Sequence, residues 1–171
     1  MKKFISLVLA VALLTAALTL TSCGGKDDEY YAYGLHYTLP EEYEKITVPY
    51  SENCYYDGSA YFYFNIYSEG DMEANLGINP NISIESYTIK FLGWNNLSYD
   101  IYTYDEEKDR SIVKYVHKYS AEEGIEDELY IHVFFRGSYR HLYTVTMSCP
   151  ASERDVYEAT FDKWANEIYA D

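Results

Sequence analysis

Two histidines, two cysteines and a run of tyrosines are the residues of this 171-residue chain whose types and spacing could do chemistry. His117 and His132 fall on neighbouring predicted strands, where two imidazoles beside acidic turns could begin a metal site. No closely spaced ligand pair supports one. Asp71, Glu73, Asn75 and Gly77 are spaced like the start of a calcium loop. The sixth position is not glycine, however, and Ile82 stands where the bidentate Glu belongs. The chain has no nucleophile elbow, zinc-protease helix, phosphate loop or dinucleotide fingerprint. Neither a catalytic residue nor a cofactor nor a bound metal is therefore expected, and the protein is not expected to be an enzyme.

Tyrosine is the unusual residue, at 22 positions. Tyr61, Tyr63 and Tyr67 share one face of a predicted strand, Tyr102 and Tyr104 share a face of a second, and Tyr115 and Tyr119 of a third. One reading is an amphipathic platform for a protein or glycan partner, because tyrosine offers ring area and a hydroxyl at low entropic cost. The other is that tyrosine fills half-buried sheet positions. Exposure separates the two.

The N-terminus carries a different kind of signal. Lys2 and Lys3 precede Phe4 to Leu20, a stretch without charge. A positive start before an apolar run reads as an export signal over residues 1–22. The run closes on Leu20-Thr21-Ser22-Cys23, which resembles a bacterial lipobox. That resemblance implies cleavage before Cys23 and a diacylglyceryl group on its sulfur, and two acyl chains suffice for stable anchoring. The alternative, a short uncleaved membrane helix, sits poorly with the Gly24-Gly25 and Lys26 to Glu29 that follow, a tether composition assigned to residues 23–33.

Removing 22 of 171 residues leaves 149, one domain's worth, and losing Lys2 and Lys3 takes the net charge from −15 to −17. So acidic a body excludes nucleic acid and electrostatic docking on anionic lipid. The acidic clusters at 26–29, 105–109 and 122–128 read as solvated turns, or as sites for cations or a basic partner. With Cys23 assigned to lipid, Cys54 and Cys149 remain. Export would permit a disulfide between them, and two buried thiols are the alternative.

Positioning these residues requires strands. From Tyr30 on, tyrosine and β-branched residues alternate with turn clusters. Strands are expected over 34–39, 45–50, 54–56, 60–68, 82–92, 97–104, 111–119, 129–136 and 142–149, with a loop or short helical turn over 69–80. Leu129, Ile131, Val133 and Phe135 share a face, as do Tyr143, Val145, Met147 and Cys149. Only the C-terminus reads as helix: Ser152 can cap, and Tyr157, Phe161, Trp164 and Ile168 form an apolar stripe. The expected fold is α+β, an antiparallel sheet of about six to eight strands with the C-terminal helix on one face, over residues 34–171.

The pattern resembles the PsbP-like domains of bacterial lipoproteins and extrinsic photosystem subunits. The opening strand (Gly34, Tyr37, Leu39, Pro40), the strand Leu142-Tyr143-Thr144-Val145-Thr146, the Pro150-Ala151-Ser152 break and the aromatic terminal helix carry the likeness. It implies an antiparallel sheet flanked by helices and an accessory, partner-binding role. The expected protein is a lipid-anchored, extracytoplasmic, non-catalytic binding or accessory module. A small-ligand or metal-binding lipoprotein is the alternative.

Overall fold

The computed structural model describes residues 27–32, 34–120, 124–137 and 140–171. The expected signal, 1–22, and Cys23 lie outside the described residues.

Seven antiparallel strands form the main sheet: β3 (Glu44–Val48), β4 (Ser51–Tyr56), β5 (Tyr61–Tyr67), β6 (Ile101–Asp105), β7 (Arg110–His117), β8 (Glu128–Arg136) and β9 (Leu142–Pro150). Their order is β3-β4-β5-β9-β8-β7-β6. Two meanders therefore lie side by side and join where β5 pairs with β9. Asp57 closes the β4–β5 turn, its Oδ1 accepting the amides of Ser59 and Ala60 at 2.9 and 2.7 Å.

After β5 the chain must cross to the far edge before β6 begins. It does so over one sheet face through α1 (Glu69–Ala74) and α2 (Ile84–Trp94). The other face takes α3 (Arg154–Glu167). This gives two cores. Leu129, Ile131, Val133 and Phe135 with Tyr143, Val145, Met147 and Cys149 pack against Phe161, Trp164 and Ile168, the expected alternation and the expected stripe. On the reverse, Val113, Tyr115, Phe134 and Leu142 pack against Met72, Ile84, Tyr87 and Leu92.

Residues 84–94 are thus helix, where a strand over 82–92 is expected. Their β-branched and aromatic content favours extended structure, but Ser83 accepts the amide of Ser86 as an N-cap, and Ile84, Tyr87, Thr88, Phe91 and Leu92 repeat at helical spacing. Burial of that stripe overrides propensity. At the other terminus Ser152 lies inside a 3₁₀ turn, Ala151–Glu153, and α3 begins without a side-chain cap.

A smaller sheet orders β1 (Asp27–Ala32), β2 (Leu35–Pro40) and β10 (Tyr169–Ala170) with β2 central. Residues 27–32, expected in the tether, instead pair with β2 along its whole length. Gly34 links the two strands at φ +79°, and a Cβ there would meet Tyr143 Oη at 3.1 Å.

Two buried cations hold α3 to the sheet. Arg110 donates to the carbonyls of Ala165 and Asn166 at 3.0 and 3.1 Å and to that of Ile168, capping the helix C-terminus, and its guanidinium lies over Phe135. Lys114 Nζ lies 2.8 Å from Glu158 and 2.7 Å from Asp162. Cys54 and Cys149 are free, buried thiols. Cys54 pairs in register with Tyr63 on the groove face, whereas Cys149 belongs to the α3 core, with β5 between their strands. A bridge would have to pass through the sheet, so the disulfide is not formed.

Candidate functional site: an aromatic groove on the α2 face

The α2 face is only partly covered. Between the helix and strands β5, β9, β8 and β7 lies a groove of about 450 Å³. Its floor is Tyr63, Asn65, Tyr67, Thr144, Thr146, Tyr130, His132, Phe134, Tyr115 and His117; Tyr87, Phe91, Asn95 and Leu97 wall one side, and Tyr50 and Tyr119 stand at the rim. Among the described residues, the lining contains no Asp, Glu, Lys or Arg.

Sheet geometry explains the floor. Cross-strand partners share a face, and the register Tyr63↔Thr146, His132↔Thr146 and Tyr115↔Tyr130 brings four strands' polar and aromatic residues into adjoining rows. Tyr115 stacks on Tyr130 (5.4 Å, 15°), Tyr130 on His132 (5.8 Å, 12°) and His132 on Phe134 (5.9 Å, 16°). Rings stacked in this way spend their faces on one another and turn edges and hydroxyls outward.

A polar line threads the stack. Tyr115 Oη shares a hydrogen bond with His132 Nε2 (3.0 Å), and His132 Nδ1 shares one with Thr146 Oγ1 (2.9 Å). Burial drives the His132 pKa down to about 3, so the imidazole is neutral, with one nitrogen donating and the other accepting. Burial raises the Tyr63 hydroxyl to about 12 against the opposing hydrogen bond from Thr146. At one end, Glu128 Oε2 accepts from Tyr130 Oη (2.6 Å) and Tyr119 Oη (3.4 Å). Burial, then these hydrogen bonds, push the Tyr130 pKa well above its ordinary value.

Thr146 beside His132 has the outline of a hydroxyl–base pair, but an imidazole of pKa near 3 is too weak a base to work near neutral pH. His117 and His132 both line the groove, with Tyr130 between them, at ring separations of 6.5 and 5.8 Å. Among the described residues, no three of His, Cys, Asp and Glu converge on a metal position. Asp71, the first residue of the calcium-like stretch, instead closes a capping box for α1, its carboxylate accepting from the backbone and hydroxyl of Ser68 at 3.0 and 2.6 Å.

All seven expected surface tyrosines lie on this side of the sheet, but only Tyr63, Tyr67, Tyr115 and Tyr119 reach the groove. Tyr61 stacks on Tyr56 further out. Tyr102 and Tyr104 pack against the α2 core, and Tyr104 donates to Asp109. Sequence reasoning missed Tyr50, Tyr87, Phe91, Asn95 and Tyr130. Tyr87, Phe91 and Asn95 recur every four residues, a signal that becomes legible once residues 84–94 are read as helix.

No family model matches the sequence, and no curated protein matches it. Solved structures do. The Saccharomyces cerevisiae Ran-binding protein Mog1p aligns over 86% of this chain and 96% of its own, at 7% identity and TM-score 0.53. The cyanobacterial PsbP protein, CyanoP, of Synechocystis aligns over 90% of this chain and 99% of its own, at 12% identity and TM-score 0.52. The chain shares the fold of these two proteins.

Proposed function

We propose that this chain is a lipid-anchored, extracytoplasmic member of the PsbP-like group, and that it acts as a non-catalytic binding module through the α2-face groove. One observation carries the reading: an open groove lined by hydroxyls, amides and aromatic rings, with no Asp, Glu, Lys or Arg among the described lining residues, on strands that are otherwise fully paired. Enrichment in tyrosine and asparagine is typical of surfaces built for recognition. The His132 basicity described above speaks against turnover.

The anchor reading rests on the Leu20-Thr21-Ser22-Cys23 motif. With residues 27–32 in β1, only Gly24, Gly25 and Lys26 separate Cys23 from the folded body. Three residues span at most about 11 Å. A lipid on Cys23 would therefore hold the domain against the membrane, with the acyl chains as the means of attachment, because a body of charge −17 is repelled by anionic headgroups.

Fractionation of cells expressing the wild type and Cys23→Ser tests the anchor. The wild type is expected in the membrane fraction with an acylated mature N-terminus, and Cys23→Ser unprocessed; equal processing of both would overturn it. Ring NMR of ¹³C-tyrosine-labelled full chain, titrated with solubilised envelope extract, tests the groove. Shifts confined to Tyr63, Tyr67, Tyr115 and Tyr119 are expected, and shifts confined to Tyr99 and Tyr169 would refute it.

A further inference from the structure

We infer that the ligand of this groove is a neutral oligosaccharide, an inference that rests on the groove being the binding site. The lining excludes the other classes in turn. An anion would find no ammonium or guanidinium group there, in a chain of net charge −15. Among the described residues a cation would find no carboxylate lining the groove itself; Glu128, at one end, already accepts from Tyr119 and Tyr130, and Asp71, in the adjoining depression, already accepts from Ser68. A flat apolar ligand needs free ring faces, and Tyr115, Tyr130, His132 and Phe134 spend theirs on one another. A peptide adding as a strand needs an open sheet edge, and the floor strands β5, β9, β8 and β7 are all paired on both sides.

What the groove does offer is a dense set of groups that can both donate and accept. Tyr67, Tyr87 and Thr144 bring hydroxyls, and Asn65 and Asn95 bring amides. A sugar ring presents the same bifunctional chemistry around its equator, and its C–H groups suit the ring of Tyr50, which is 59% exposed at the rim. Length fits as well. Beyond Asn65 and Tyr67 the groove continues into a second depression of about 400 Å³ lined by Ser68, Asp71 and His141. Each part alone falls in the size range of about 300–1,000 Å³ usual for ligand sites. Together they make a trough for several linked rings.

The test titrates the full chain in detergent with cellotriose, maltotriose and N,N′,N″-triacetylchitotriose, followed by a neutral-glycan array. Trigalacturonate and the chitosan trimer serve as charged counterparts. The readout is the ¹³C-tyrosine ring spectrum together with calorimetry. Saturable binding of at least one neutral glycan is expected, weakened roughly fivefold by Asn95→Ala and by Tyr119→Phe, the loss of about one net hydrogen bond each. Near-UV circular dichroism checks that both variants stay folded. If no neutral glycan moves the groove resonances, or only a charged trimer does, the saccharide inference falls while the groove remains open to another ligand. If a glycan binds but both variants bind it as tightly as the wild type, the sugar sits elsewhere, and the groove reading falls with it.

Discussion

Acidification should unfold this protein through His132. The imidazole is buried and neutral, with its pKa near 3, whereas an unfolded histidine titrates near 6.5. Below pH 6.5 the unfolded chain takes up a proton that the folded chain refuses. The stabilisation is therefore complete above pH 6.5 and drains away as the pH falls from 6.5 towards 3. At pH 5 the loss from this residue alone is about 2 kcal/mol. Other groups titrate in the same interval, so the comparison must be with His132→Gln, which keeps a donor and an acceptor beside Tyr115 and Thr146 but cannot charge. Urea denaturation at pH 7.5 and pH 5 provides the assay. With a slope of about 2 kcal/mol per molar urea, the wild-type midpoint should fall by about 1 M more than that of the variant. Equal losses in the two proteins, or an NMR titration placing the His132 imidazole near 6.5, would refute the burial argument and put a titrating charge into the groove.

Further outcomes follow from the α3 face. Trp164→Ala removes a 5%-exposed ring packed on Tyr43, Phe62 and Phe161, and should cost about 3–5 kcal/mol in chemical denaturation. Arg110→Met leaves the last carbonyls of α3 without their donor and should cost about 2–4 kcal/mol, with amide exchange rising over residues 166–170. Glu158 is held down to about 2 by its hydrogen bonds from Arg154 and Lys114. Its contribution should persist above pH 4.5 and disappear as the pH falls through 2, and a Glu158→Gln stability profile should be flatter than the wild type across that range.

The strands with strict alternation were legible in the sequence. β8 and β9 show period two over nine residues each, and the faces read from that period are the faces that pack on α3. The C-terminal stripe was legible because Phe161, Trp164 and Ile168 are large and regularly spaced. The groove was only half legible. Its strand tyrosines carry period two, but its far wall is α2, whose Ile, Thr, Tyr and Phe content mimics a strand. Misreading that segment hid Tyr87, Phe91 and Asn95. Tyr50, expected to close a strand over 45–50, instead lies in the turn between β3 and β4, where period two assigns no face. Residues 27–32 read as tether because they are acidic and lie beside Gly24-Gly25, while their pairing partner, β2, is visible only in three dimensions. The open choice between a bridge and two thiols at Cys54 and Cys149 turned on which sheet face each occupies, which depends on a register that the sequence does not state.

The central claim, that the α2-face groove is the surface through which this protein binds, is tested most directly by photo-crosslinking in living cells. Benzoylphenylalanine placed at Tyr119, on the groove rim, is expected to capture an adduct of defined mass, and the same probe at Ile89, exposed on the outer side of α2, is expected to capture none. Equal capture at both positions, or capture at Ile89 alone, would contradict it.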